Sequence, residues 1–363
     1  MRAYLLLIVA LGLIYLIYPR RYRKDELSFS GARCRSDGLY LAVCCAVLIV
    51  FAGLRGHTVG ADTALYLDAL NYYASFDKGS ILSAEMIYPY DFEPGYFLFT
   101  KLCAFFGIGQ TAFLFIVAVL IYLPLFVFLR GRNSNPFLSI CIYFAFFYCY
   151  SLGIFRQMIA MSMVLIALML AERRKPIGFL LVVLFAATFH TTALIALPFY
   201  FLHRVNPGKL VYFVFPAIGF FLIFGRFFAE LAVELFPRYE NYLDVLGGSQ
   251  GLSGYLMQLF YVGILILCLP YAKRIKGDFR RTVAVNAVII ASLLQAVSYS
   301  FIILGRATPY YSIFLLFLVP DLIAFYTRGK AKLLLSLAAY AFFIAYFYVS
   351  TVGEPLLNPF YFA

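Results

Sequence analysis

Six ionisable side chains stand at or beside breaks between long apolar runs: Arg55, Asp62, Glu93, Arg156, His190 and Arg306. Charge at membrane depth is expensive, so such residues usually mark a substrate path or a reaction site. The arginines occur in Leu54-Arg55-Gly56-His57, Phe155-Arg156-Gln157 and Gly305-Arg306-Ala307. A guanidinium offers a planar fork that suits phosphate and keeps its charge at any working pH, so three together would make a pyrophosphate clamp. The competing role for each is snorkelling to lipid head groups, the common fate of a helix-end arginine.

The complementary groups are acids and a histidine. Asp62 follows Val59-Gly60-Ala61, and Glu93 precedes Pro94-Gly95. A carboxylate near re-entry into the membrane can be desolvated and act as general base on a hydroxyl group. His190, in Thr188-Phe189-His190-Thr191-Thr192, could serve as acid/base or as a phosphate-binding donor. An isolated histidine in an apolar setting is more often a hydrogen-bonded core residue. The base therefore stays open among three residues, Asp62 ranked first for its closeness to Arg55, Glu93 next and His190 third. Asp68, Asp77, Glu85 and Asp91 read as solvated loop acids. His57 and His203 read as loop and head-group residues without a site.

Positioning such groups falls to membrane helices. The 363 residues are 64% hydrophobic, 20% aromatic and only 13% charged, against about 25% charged in soluble chains. Mean hydropathy is +0.91. Apolar runs recur from end to end at 3–18, 39–54, 111–129, 137–150, 154–171, 177–189, 192–202, 210–225, 254–272, 282–304, 307–326 and 333–350. The expectation is one all-α polytopic domain over 1–363 with about 12 transmembrane helices. Arg20, Arg21, Arg23 and Lys24 follow the first run rather than precede it, which reads as a first transmembrane helix and not a signal peptide.

Basic clusters follow every second run: Arg20–Arg35, Arg130/Arg132, Arg173–Lys175, Arg204/Lys209, Lys273–Arg281 and Arg328–Lys332. The positive-inside rule places all six in the cytoplasm and the termini outside. The inner side then holds 21 Lys/Arg against 6 Asp/Glu, and the outer side 8 against 11. The net charge of +12 is thus an orientation signal on anionic lipid, not a nucleic-acid footprint. All six candidate residues fall on the outer side. The outer segment 55–110 includes Pro94–Gly109, which is short, contains Lys101 and reads as a re-entrant or interfacial helix. The outer segment 226–253 opens with Arg226, Glu230 and Glu234 at four-residue spacing, the pattern of an amphipathic helix on the outer leaflet.

Other chemistries find little support. Cysteines 34, 44, 45, 103, 141, 149 and 268 show no paired metal spacing and lie mostly in apolar runs. Three histidines with no two at helical spacing make no metal site, and no Gly-rich nucleotide loop is present. No cofactor is expected.

The ordered set Arg55-Gly56-x-x-Val59-Gly60-x-Asp62-Thr63-x-x-Tyr66, Glu93-Pro94-Gly95-Tyr96, Arg156-Gln157-x-Ile159-Ala160, Phe189-His190-Thr191-Thr192 and Gly305-Arg306 with Tyr310-Tyr311 resembles the EpsG family. These are Wzy-type polymerases of bacterial exopolysaccharide, capsule and O-antigen. One departure is Thr192, where the family usually shows serine; the hydroxyl is kept. The resemblance implies a GT-C-type membrane glycosyltransferase of the bacterial cytoplasmic membrane. Such an enzyme moves a polyprenyl-pyrophosphate-linked glycan, on the outer face, to the non-reducing end of another lipid-linked repeat unit. It also implies Tyr66, Gln157 and Tyr310 as substrate-binding residues, membrane lipids as surroundings, and flippase and chain-length regulator proteins as partners. A ligase with another acceptor and a flippase of lipid-linked sugars are the competing classes. No internal repeat of the transporter kind is evident in the chain.

Overall fold

The computed structural model describes residues 1–18, 22–23, 33–34, 37–80, 91–132, 134–235, 252–275, 277–357 and 360–362. In chain order its helices are α1 (Arg2–Ile17), α2 (Asp37–Gly53), α3 (Thr63–Ala74), α4 (Pro94–Phe105), α5 (Gln110–Leu129), α6 (Pro136–Gly153) and α7 (Phe155–Glu172). Then come α8 (Pro176–Phe189), α9 (Thr191–Leu202), α10 (Pro207–Leu235), α11 (Leu252–Arg274), α12 (Phe279–Ser298), α13 (Thr308–Tyr326) and α14 (Gly329–Val352). Residues Tyr22–Arg23 and Arg33–Cys34 form a two-residue antiparallel pairing after α1.

Each of the twelve apolar runs folds as a helix. Among the described residues eight are long and apolar enough to cross a membrane, and α1, α2, α8 and α9 are shorter apolar helices. The protein is an all-α polytopic membrane protein. Helix starts follow local chemistry: Pro94, Pro136 and Pro176 open α4, α6 and α8, where a missing N–H costs nothing. Asn135 caps α6 by accepting from the Leu138 N–H at 3.2 Å. The twelve residues of α4 span roughly 18 Å, short of the about 30 Å hydrocarbon core.

A single domain over 1–363 is the sequence expectation; the structure instead divides into two compact units. One comprises Met1–Leu194 and Ile323–Ala363, the other Ile195–Leu322. No composition shift marks the boundaries, because α9 and α13 run through them.

In the first unit α5 packs on α2 and α7, α7 on α8, and α4 on both α3 and α8. Its two ends gather different loops. At the basic end Arg132 pairs with Glu172 at 2.6 Å. There the Gly131 N–H donates to Asp37, and Asn135 bridges the Tyr15 and Tyr340 hydroxyls. The opposite end gathers residues 55–63, 91–93, 152–156 and 188–191. In the second unit α12 packs against α10 and α11. Its Asn286 amide donates to the Leu202 and Val205 carbonyls at 2.7 and 2.9 Å. Arg281 holds Asp278 at 2.9 Å and Asp321 at 3.3 Å.

The outer surface helix expected at 226–253 is not a separate element. Arg226, Glu230 and Glu234 continue α10, a helix of 29 residues. At ~1.5 Å per residue it outruns the about 30 Å hydrocarbon core by roughly two to three turns. Its polar end carries the Arg226–Glu230 pair at 2.9 Å, with Arg226 83% exposed. The remainder of that segment, from 236 to 251, and Glu85 lie outside the described residues.

Candidate active site

Glu93 is the hub of the non-basic end of the first unit. It occupies the N-cap of α4 with an extended backbone, because Pro94 fixes the first helical residue and biases its predecessor away from helix. Its side chain makes no cap bond and turns to two neighbours. One carboxylate oxygen accepts from the Arg156 guanidinium at 2.5 Å. The other accepts from His190 Nδ1 at 2.7 Å and from the Thr191 N–H at 3.2 Å. The three side chains are 16%, 23% and 12% exposed for Glu93, Arg156 and His190: largely enclosed yet reachable.

Each partner is delivered by a break in a helix. His190 follows the last residue of α8, and its extended backbone (φ −158°, ψ 116°) directs the chain away before α9 begins. Arg156 is in the first turn of α7, two residues past a break at Ile154. Gly95 lets α4 come close to the end of α8, since a Cβ there would collide with Thr188. The Arg156 guanidinium lies 4.9 Å over the Phe92 ring. It also donates to the Asp91 carbonyl at 3.3 Å and hydrogen-bonds the Tyr66 hydroxyl. Tyr66 is 1% exposed and stacks on Phe155 at 4.6 Å. It therefore positions the arginine.

Burial pushes the Glu93 carboxyl upward, but the hydrogen bond from His190 and the charge of Arg156 outweigh it and hold the group at about 2. A carboxylate this acidic is a weak base. It instead fixes the imidazole: with Nδ1–H donated to Glu93, Nε2 carries the lone pair. That Nε2 and the Arg156 Nε are buried without a protein partner. The arrangement offers one proton-accepting nitrogen beside one fixed guanidinium.

The depressed Glu93 carboxyl has a stability consequence. The unfolded chain binds this proton near the ordinary value of 4.5 and the folded one near 2, so the contribution is complete above the former and lost as pH falls through the latter. The melting gap between the detergent-solubilised native chain and its Glu93→Gln variant should therefore shrink between pH 5 and pH 2. A constant gap across that range would mean that Glu93 is not held ionised.

The other expected residues lie elsewhere. Arg55 does not join the cluster. It is 1% exposed, and its guanidinium donates to the Val59 and Leu152 carbonyls at 3.2 and 3.0 Å and to that of Ala52. The reason is local: α2 ends at Gly53, and its last carbonyls need donors. Gly60, at φ +112°, brings the next loop so near Leu152 that a Cβ would strike its carbonyl. Arg55 thus staples the end of α2 to the loops at 59 and 152. Arg55→Ala would remove the side-chain donor of the Ala52 carbonyl, at about 1–3 kcal/mol, and leave the Val59 and Leu152 carbonyls to share the single Thr63 hydroxyl. Its expected outcome is a lower melting temperature and reduced membrane abundance; wild-type melting would remove the staple.

Asp62 sits at the N-cap of α3 without a side-chain cap bond, and its carbonyl accepts from the Tyr66 N–H. Gln157, the residue after Arg156, is 6% exposed. Arg306 and Tyr310 belong to the second unit, Arg306 exposed and Tyr310 buried at 1%. The His203 ring lies 4.8 Å from that of Phe279, tilted by 35°. Sequence inspection missed Phe92 and the Thr191 N–H, whose one signal is adjacency to Glu93 and His190.

A family model described as the EpsG family matches residues 38–361. No curated protein and no solved structure matches the chain.

Proposed function

Since the chain belongs to the EpsG family, the Wzy-type polymerase-like family, we propose that it is an oligosaccharide repeat-unit polymerase of the bacterial cytoplasmic membrane. In this reading the Glu93 cluster faces outside, opposite the basic loops. The substrate is a polyprenyl-pyrophosphate-linked glycan, and the acceptor is the non-reducing end of a second lipid-linked unit. Flippase and chain-length regulator proteins would work beside it.

The observation that carries the reading is the sharing of Glu93 between Arg156 and His190, with Nε2 buried and without a protein partner. The acceptor hydroxyl attacks the anomeric carbon, forming the new glycosidic C–O bond. Its proton passes to His190 Nε2. The bond from the anomeric carbon to the pyrophosphate oxygen breaks, and the electron pair leaves on polyprenyl pyrophosphate. Arg156 supplies positive charge where that negative charge develops. Arg306 remains a candidate for the same role on chemistry alone. Asp62 yields first place as base to His190, since no contact joins its carboxylate to Arg156 or His190 among the described residues.

Deleting the gene should make lipid-linked single repeat units accumulate on the outer face of the membrane, and the wild-type chain should restore polymer. Accumulation on the inner face would replace polymerase with flippase. Outer accumulation of full-length polymer still on its lipid would make it a ligase.

A further inference from the structure

Arg55 and Arg156, far apart in the chain, are joined by two aromatic rings that the proposed reaction does not use. The Arg55 guanidinium lies 5.2 Å over the Phe155 ring. The same ring stacks on Tyr66 at 4.6 Å and 24°, and the Tyr66 hydroxyl hydrogen-bonds the Arg156 guanidinium. Phe92 completes the surround, 4.9 Å from that guanidinium and 5.7 Å from the Tyr66 ring. Arg55, Phe155 and Tyr66 are at most 1% exposed. Of the four linked side chains, only Arg156 can meet a substrate.

The backbone carries the same connection. The Leu152 carbonyl accepts from Arg55 at 3.0 Å and from the Thr63 hydroxyl at 2.9 Å. Helix α7 then starts after Ile154, whose cap position makes no side-chain bond. A helix start without a side-chain cap takes its direction from what packs on it. Arg55 therefore holds the chain before the break through a carbonyl and after it through a ring. Arg156 is the next residue along.

Charge gives a reason for that ring to be aromatic. Arg55 is buried and pairs with no carboxylate among the described residues. A buried charge is costly without compensation. Here the compensation is three carbonyls and the electron-rich face of Phe155. An aliphatic side chain would fill much of the space without that face, and would offer Tyr66 no ring to stack on.

We infer that Phe155 is a positioning residue: anchored by Arg55, it sets Tyr66 and the first turn of α7, and through them the plane of the Arg156 guanidinium. This role rests on Arg156 being the charge that meets the departing pyrophosphate.

The test uses the full chain purified in mild detergent and lipid-linked repeat units extracted from the deletion strain, with initial rates read against substrate concentration. Phe155→Leu should lower kcat about 10²-fold, the cost of a slightly misplaced group, and leave KM within about twofold. Phe126→Leu, at a buried phenylalanine near the basic end of α5, should lower the melting temperature similarly and keep kcat. On an Arg156→Lys background Phe155→Leu should cost less than about twofold more, because the group it positions is already gone. Tyr66→Phe keeps the stack and removes the last link, so it should share both the kcat loss and the absence of that loss beside lysine. If Phe155→Leu does not accumulate, Phe155→Met takes its place. Wild-type kcat in the Phe155 variant, or a loss that multiplies with that of Arg156→Lys, overturns the inference alone. Wild-type kcat in Arg156→Lys itself overturns the role of Arg156 and the inference with it.

Discussion

His190→Ala is expected to cut polymer formation by a factor of about 10²–10⁴, with membrane abundance and retention of the lipid-linked donor unchanged. The imidazole is the one side chain of the cluster with an open nitrogen that can accept a proton. Glu93 is held too acidic for that task, and the Arg156 guanidinium cannot take it. Glu93→Gln should fall as far by a different route. A carboxylate accepts from Arg156 on one side and from His190 and the Thr191 N–H on the other; an amide that keeps Arg156 must turn its NH2 to that second side, where it opposes the Thr191 N–H and forces the imidazole proton onto Nε2. The pair separates roles by degree: alanine at 190 removes one partner of Glu93 and glutamine at 93 disturbs both, so both lose turnover and glutamine at 93 loses the more stability. Polymer made at the wild-type rate by His190→Ala would move the base to Asp62.

Arg156→Lys should lower polymer by about 10²–10³, the cost of removing one donor aimed at developing negative charge. Lysine keeps the charge, so the substitution isolates geometry. One ammonium cannot reach Glu93, the Asp91 carbonyl and Tyr66 together, nor stack as a plane on Phe92. The measurement is polymer length and yield in a deletion strain carrying the variant. Normal polymer with lysine would reduce Arg156 to a structural partner of Glu93. Arg306→Lys, made separately, asks the same of the second unit.

Much of the architecture was legible in advance. A bilayer leaves the chain few options: its backbone must satisfy itself, so long apolar runs become helices, and basic loops mark alternate ends. Those two constraints sufficed for twelve helices and for gathering Glu93, Arg156 and His190 at one end. They said nothing of what Arg55 does there. An arginine at the end of a helix has the same sequence whether it meets lipid, anion or orphaned carbonyl oxygens. Only the approach of Leu152 past Gly60 decides among them. The acid–base order was hidden for a similar reason. Asp62 and Glu93 look alike beside glycine and proline, but one stays at its cap while the other is shared between a cation and an imidazole. The continuity of α10 through Arg226 was missed because the amphipathic pattern begins where the hydrocarbon stops, and a change of solvent mimics a change of element.

The first unit is closed by residues from both ends of the chain. The Tyr4 hydroxyl donates to the Leu357 carbonyl across 353 positions. The Arg55 backbone bridges to Phe362, and the Gly56 N–H donates to the Tyr361 carbonyl at 2.8 Å. At ~5–20 residues per second of synthesis, α1 and the Arg55 loop enter the membrane roughly 20–70 s before their partners exist. Assembly of this unit cannot proceed helix by helix as the ribosome delivers them. Its early helices wait, with a buried tyrosine and a loop unfinished, until the last residues arrive. A chain released early by a nonsense codon near its end would thus insert almost completely and still lack the contacts that brace the loop beside its reactive cluster.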